Sequence, residues 1–67
     1  SDDLGADEAA KITAIWTAIR CKEEGMTDRE TAAFVPYSHG WVNTRWKEYR
    51  DDGQHRETLG KVEEIIA

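Results

Sequence analysis

A single proline, Pro36, stands between two runs of helical spacing and limits this chain more than any other residue. Proline lacks the amide proton that a helix interior needs and turns the residue before it away from helical geometry, so a helix reaching position 36 must end there. On its amino side, Thr27 and Asp28 both offer side-chain oxygens to the free amides of a helix start. Glu30 lies three residues after Thr27, as a capping box requires. The spacing predicts a helix over residues 28–35. Beyond the proline, Ser38 is placed to cap a second helix. There Val42, Trp46 and Tyr49 recur at i, i+4 and i+7, while His39, Asn43, Thr44, Lys47 and Arg50 fall elsewhere. One face is apolar and the other can hydrogen-bond.

Arg29, Glu30, Ala32 and Val35, followed after the turn by Ser38, Val42, Trp46, Lys47, Tyr49 and Gly53, make a run that resembles the helix-turn-helix of homeodomain-like and transposase-type DNA-binding domains. The likeness covers residues 25–53, about 29 of 67. It departs from the usual pattern at Thr31, where such motifs carry a large apolar residue, at Pro36 in place of a turn glycine, and at Arg45, a position normally buried. The resemblance implies an all-α fold in one domain spanning residues 1–67, with a three-helix helix-turn-helix core over residues 7–53 and an additional carboxy-terminal helix over 54–67.

The resemblance also implies a site. The helix over residues 38–50 would enter a major groove, with His39, Asn43, Thr44, Lys47 and Arg50 toward DNA. Their chemistry suits that role. An asparagine amide can pair with both polar atoms of an adenine edge, a lysine can donate to guanine or phosphate, and a threonine offers a methyl to thymine or a hydroxyl to phosphate. Ser38 and Thr27, at helix starts, occupy places where hydroxyls and backbone amides hold phosphates. Gly40 leaves room for close backbone approach.

Sixty-seven residues make one small domain, which buries only about 60% of the surface an unfolded chain exposes. Three tryptophans, two tyrosines and a phenylalanine help to fill so small a core. A long helix is expected from Asp7, as its cap, to about residue 24, where Gly25 ends it. Its bulky stripe, Ile12, Ile15, Trp16 and Ile19, is expected to meet the helix-turn-helix. The reverse side, Ala10, Ala14, Ala18 and Cys21, accepts the last helix or another subunit, or is simply a solvated alanine face. Met26 and Phe34 are expected to join Val35, Val42, Trp46 and Tyr49 in the core, with Ala32 as the small residue where the two motif helices approach. Trp41 lies off that face and either packs on the last helix or waits for a partner.

After Asp51, Asp52 and Gly53 a helix can resume near Gln54, with Leu59, Val62 and Ile66 at i, i+3 and i+7 and Ile65 beside them. These four aliphatics are expected to pair with a second copy, a fourth helix closing on the first being the other possibility.

The net charge is −5. Nucleic-acid-binding domains usually carry a basic face, because neutralising phosphates and releasing counterions supplies much of the affinity. The distribution is uneven, however: Arg45, Lys47 and Arg50 stand near one another, while Asp2, Asp3, Asp7 and Glu8 crowd the amino end. Acidic surfaces also suit high salt, where screening shortens repulsion. One cysteine excludes an internal disulfide, and Cys21, His39 and His55 match no common metal-ligand spacing, so neither metal nor cofactor is expected. No constellation of nucleophile and base is visible, and no enzyme is expected. With no long apolar run or signal-peptide pattern, the expected location is the cytoplasm. The function expected is a sequence-specific transcriptional regulator, repressor or activator, bound to double-stranded DNA as a homodimer. The alternatives are the DNA-recognition part of a transposition, recombination or packaging protein, and a protein-interaction module that keeps the shape without the DNA binding.

Overall fold

The computed structural model describes residues 6–67, and these form four helices: α1 (Ala6–Glu23), α2 (Asp28–Ala32), α3 (His39–Asp52) and α4 (Arg56–Ile66). The fold is all-α, with no strand among the described residues. The expected lead-in over residues 1–5 lies outside them.

Local chemistry accounts for most of the boundaries. α1 begins one residue before the expected cap, so Asp7 and Glu8 lie in its first turn, where negative charge favours the helix dipole. It ends as Gly25 turns to φ 93°, with its amide donating to the Lys22 carbonyl at 3.0 Å. The capping box at α2 forms as expected: Glu30 N donates to Thr27 Oγ1 at 3.1 Å, and Thr27 N donates to Glu30 Oε1 at 2.9 Å. α2 is shorter than residues 28–35. Beyond Ala32 the amides of Phe34 and Val35 reach only three residues back, to the carbonyls of Thr31 and Ala32, a tightening consistent with the approach to Pro36. The helical phase is lost with it. Val35 turns inward at 8% exposure, whereas Phe34, expected in the core, is 66% exposed.

Ser38 caps α3 through the Trp41 amide, and Gly53 closes it in the left-handed region at φ 71°. α4 starts at Arg56 rather than near Gln54, because His55 takes a left-handed turn at φ 72°. That conformation is uncommon for a non-glycine residue. The ring is tied down: His55 Nε2 donates to Glu48 Oε1 at 2.8 Å.

α1 packs on all three other helices, and α2 packs on α3. The bulky side of α1 meets α3, as expected, and α4 as well, while its small side is also enclosed, against the α2–α3 turn and α3. Ala14 and Ala18, the small side, meet Val35 in the turn after α2 and Val42 of α3, with Ala32 and Trp41 at the edge. Ile15 and Ile19, the bulky side, meet Leu59 of α4, with Trp16, Trp41, Trp46 and Tyr49 around them. Small side chains permit a close approach of α1 to α3 on this side, while the aliphatic bulk of the other side fills the space shared with α3 and α4. Trp41 touches both clusters, so it packs rather than waits. The fully enclosed residue of α2 is Thr31, at 0% exposure, while Ala32 is only partly covered.

Leu59 and Val62 are 3% and 5% exposed within the single chain, which corrects their assignment to a dimer surface. Of the four aliphatics, only Ile65 and Ile66 remain outside, at 72% and 62%. α4 is held by a polar clasp as well. Glu63 Oε2 accepts from Trp16 Nε1 at 3.1 Å, from Arg20 Nε at 3.0 Å and from Arg20 Nη2 at 2.6 Å. Arg20 Nη1 also donates to Glu23 Oε1 at 2.6 Å, and Tyr49 Oη donates to Glu23 Oε2 at 3.2 Å, joining α3 to the same group.

Two outcomes follow for stability. The Thr31 hydroxyl is buried without a partner; Thr31→Val keeps the branched shape and removes the orphaned group, so it should raise the unfolding free energy by about 1 kcal/mol in urea titration. The Glu63 carboxyl is held below its usual range, chiefly by hydrogen bonds from Arg20 and then Trp16. A carboxyl whose pKa is lower folded than unfolded stabilises the fold above the ordinary value of 4.5 and loses that contribution as pH falls through the folded value. Acidification below about 4.5 should therefore destabilise the domain, and Glu63→Gln should flatten that dependence in part, since Glu48 and Asp51 are also lowered. An undiminished acid dependence in the variant would remove Glu63 from this account.

Candidate nucleic-acid interface

The rotation of α3 about its axis decides which of its side chains can meet a partner. Val42 is fully buried, and Trp46 and Tyr49 are half-buried against the α4-side cluster, so the apolar face points inward as its spacing predicts. Arg45 does not disturb this. Its guanidinium lies 5.6 Å from the centre of the Trp41 ring, and Nη2 donates to Glu48 Oε2 at 3.3 Å. Its Nε is 3.0 Å from Glu48 Oε1, an ion-pair contact without hydrogen-bond alignment.

The outward side then carries Gly40, Thr44 and Lys47, all exposed, with Asn43 half-buried beside them. At spacings of three and four these four residues form one stripe. His39 and Arg50, also exposed, stand toward its edges. Each differs in what it has free. Among the described residues Lys47 has no ion-pair partner, and neither Asn43 nor His39 has a side-chain partner. Thr44 Oγ1 donates to the Gly40 carbonyl at 3.0 Å, which leaves the methyl and the oxygen's acceptor capacity outward. Arg50 is engaged by Asp51 at 2.9 Å. Ser38 and Thr27 are exposed, and each oxygen accepts a capping bond while the hydroxyl proton remains available.

Charge around the stripe is arranged in a way the overall −5 conceals. Fourteen residues are acidic, yet none lies between Glu30 and Glu48. The acids bordering that window are occupied. Asp28 pairs with Lys22 Nζ at 2.9 Å, and Glu30 accepts from the Thr27 amide. Glu48 is held by His55 and Arg45, and Asp51 by Arg50. Gln54 Nε2 donates to Asp52 Oδ2 at 3.4 Å. The Glu48 carboxyl accordingly lies below its usual range, through the hydrogen bond from His55 first and the charge of Arg45 second; Arg50 does the same for Asp51.

The turn before α3 adds an apolar part that periodicity missed. Phe34 projects outward, Pro36 is exposed, and Tyr37 stacks on Trp41 with ring centres 4.2 Å apart. The signal for it is legible in retrospect, since Pro36 two residues after Phe34 breaks the helical phase that would have buried the ring. Among the described residues, no three of histidine, cysteine, aspartate and glutamate come together as metal ligands. No described helix is long and apolar enough to cross a membrane. In comparisons with protein families, curated proteins and solved structures, none matches this chain.

Proposed function

We propose that this chain is a DNA-binding domain that places α3 in the major groove of a duplex and acts as a small transcriptional regulator. The observation that carries this reading is the outward stripe of Gly40, Asn43, Thr44 and Lys47, lying within an acid-free window of a chain that is acidic elsewhere. Glycine lets the helix approach closely, the asparagine amide has donor and acceptor for an adenine edge, and Lys47 is free to meet guanine or phosphate. The spare hydroxyl protons of Thr27 and Ser38 suit phosphate oxygens, which fix register without reading sequence. Arg50, already paired with Asp51, contributes less than an unpaired arginine would.

A single motif of this size gives modest specificity, and regulators of this class commonly read two half-sites as dimers. In this reading Ile65 and Ile66 form the pairing element, since Leu59 and Val62 are already enclosed. A second reading is favoured by the net charge of −5: a protein-interaction module with the same helical shape.

A mobility shift at several salt concentrations separates the two. A DNA binder loses affinity with a slope near one log unit per log unit of salt for each phosphate neutralised. Lys47→Ala should reduce that slope by about one. Asn43→Ala should cost about 1–3 kcal/mol on a preferred sequence and little on others. Both side chains face outward or lie half-covered, so circular dichroism and the thermal midpoint should be close to those of the parent chain. Absence of any shift at low salt would favour the interaction module.

A further inference from the structure

Phe34 is the most exposed aromatic of the described residues, at 66%, and among those residues its ring has no stacking or cation–π partner. It differs from the other exposed apolar groups. Tyr37 has a stacking partner in Trp41, and Ile66 continues the spacing of Leu59 and Val62 past the end of the core. Phe34 instead sits in the turn that leads through Pro36 and Tyr37 into Ser38, the cap of α3. The ring therefore stands beside the amino end of the helix whose outward stripe is the candidate interface.

The chemistry of that neighbourhood narrows the partner. The window from Thr31 to Lys47 holds no acid, and the bordering carboxylates Asp28, Glu30 and Glu48 are occupied by Lys22, the Thr27 amide, and His55 with Arg45. An apolar projection that opens an acid-free stretch carrying His39, Arg45 and Lys47, with Glu30, among the described residues, the one neighbouring carboxylate without a cation, fits a polyanion that also exposes non-polar groups. In duplex DNA those groups are the deoxyribose rings along the groove edge. We propose that Phe34, with Pro36 and Tyr37 beside it, is an apolar lip that packs on the sugar face of the strand bordering the groove occupied by α3. The lip is a sequence-independent positioning contact, and it rests on the duplex-binding reading above. It is stiff before binding, because the proline fixes its own backbone and Tyr37 is pinned on Trp41, which is itself held between the two core clusters. The ordering that remains on binding is chiefly that of the Phe34 side chain.

An apolar contact releases no counterions, so it adds to affinity equally at every salt concentration, whereas a lysine–phosphate contact steepens the salt dependence. This difference makes the proposal separable from the reading it rests on. The probe is a fluorescently labelled duplex of mixed sequence about two helical turns long, titrated by anisotropy at several salt concentrations. Phe34→Ala should weaken binding roughly tenfold at each salt without changing the slope, and Phe34→Leu should recover most of the loss. The thermal midpoint should not fall, since the ring is exposed. Lys47→Ala, in parallel, should lower the slope by about one. If Phe34→Ala binds like the parent chain, or changes the slope instead of the intercept, the lip is wrong and the α3 reading stands. If Phe34→Ala weakens binding while Lys47→Ala leaves the slope intact, the α3 assignment fails and the lip's placement beside that helix fails with it, although Phe34 meets the duplex. A parent chain that binds the duplex at no salt concentration overturns both.

Discussion

The close contact between α1 and α3, made by Ala14 and Ala18 against Val42, is the constraint on which the other placements depend. Two helix axes can approach this way only where one of them presents little beyond Cβ. Once α3 is seated there, its rotation is settled, because Val42 is enclosed and Trp46 and Tyr49 must follow it at i+4 and i+7. The outward stripe is then a consequence of the inward one. Trp41 completes the arrangement by touching both clusters, so the cluster that includes Leu59 of α4 and the cluster that includes Val35 and Val42 share one side chain. A small domain gains from such sharing, since few residues are available to fill two separate cores.

The boundaries legible in the sequence were those set by local chemistry. Thr27 with Glu30, Ser38, Gly25 and Gly53 each act through hydrogen bonds to residues a few positions away, so a single sequence suffices to place them. The inward face of α3 was legible for a similar reason, its period being carried by three large residues. What periodicity could not reach was the choice between faces of α1. Both sides of that helix are apolar and both touch α3, and which side also receives α4 is a property of the assembled core. Phe34 was misplaced because helical spacing was carried two residues too far toward Pro36. Leu59 and Val62 were assigned to a partner on the ground that so small a core had no room for them; the small residues of α1 left its bulky side free to receive α4. The unusual left-handed His55 had no local signature at all.

Among the candidate site residues, chemistry was more legible than availability. Asn43, Thr44 and Lys47 are recognisable as groups that suit base edges, but only the folded arrangement distinguishes Lys47, which has no ion-pair partner among the described residues, from Arg50, which is spent on Asp51. The same distinction applies to the acids. A carboxylate paired with an arginine presents a dipole to its surroundings, and a dipole's field falls off faster than that of a bare charge.

Net charge is therefore a poor guide to what this chain attracts. The unengaged acids that matter for long-range repulsion include Asp7 and Glu8 at the amino end of α1. Ala18, where α1 meets Val42, lies eleven residues further along, about 16 Å at 1.5 Å per residue. That separation exceeds the Debye length of about 10 Å at 0.1 M salt, so most of their repulsion is screened before it reaches the α3 surface. Near that surface Asp28, Glu48 and Asp51 are paired, and Asp7 and Glu8 are screened by their distance. What a polyanion meets at close range is set by His39, Asn43, Thr44 and Lys47, not by the sum over the chain, and raising the salt weakens the distant repulsion along with the local attraction. An acidic protein with this geography can hold a local binding face at salt concentrations where a uniformly acidic one would have none.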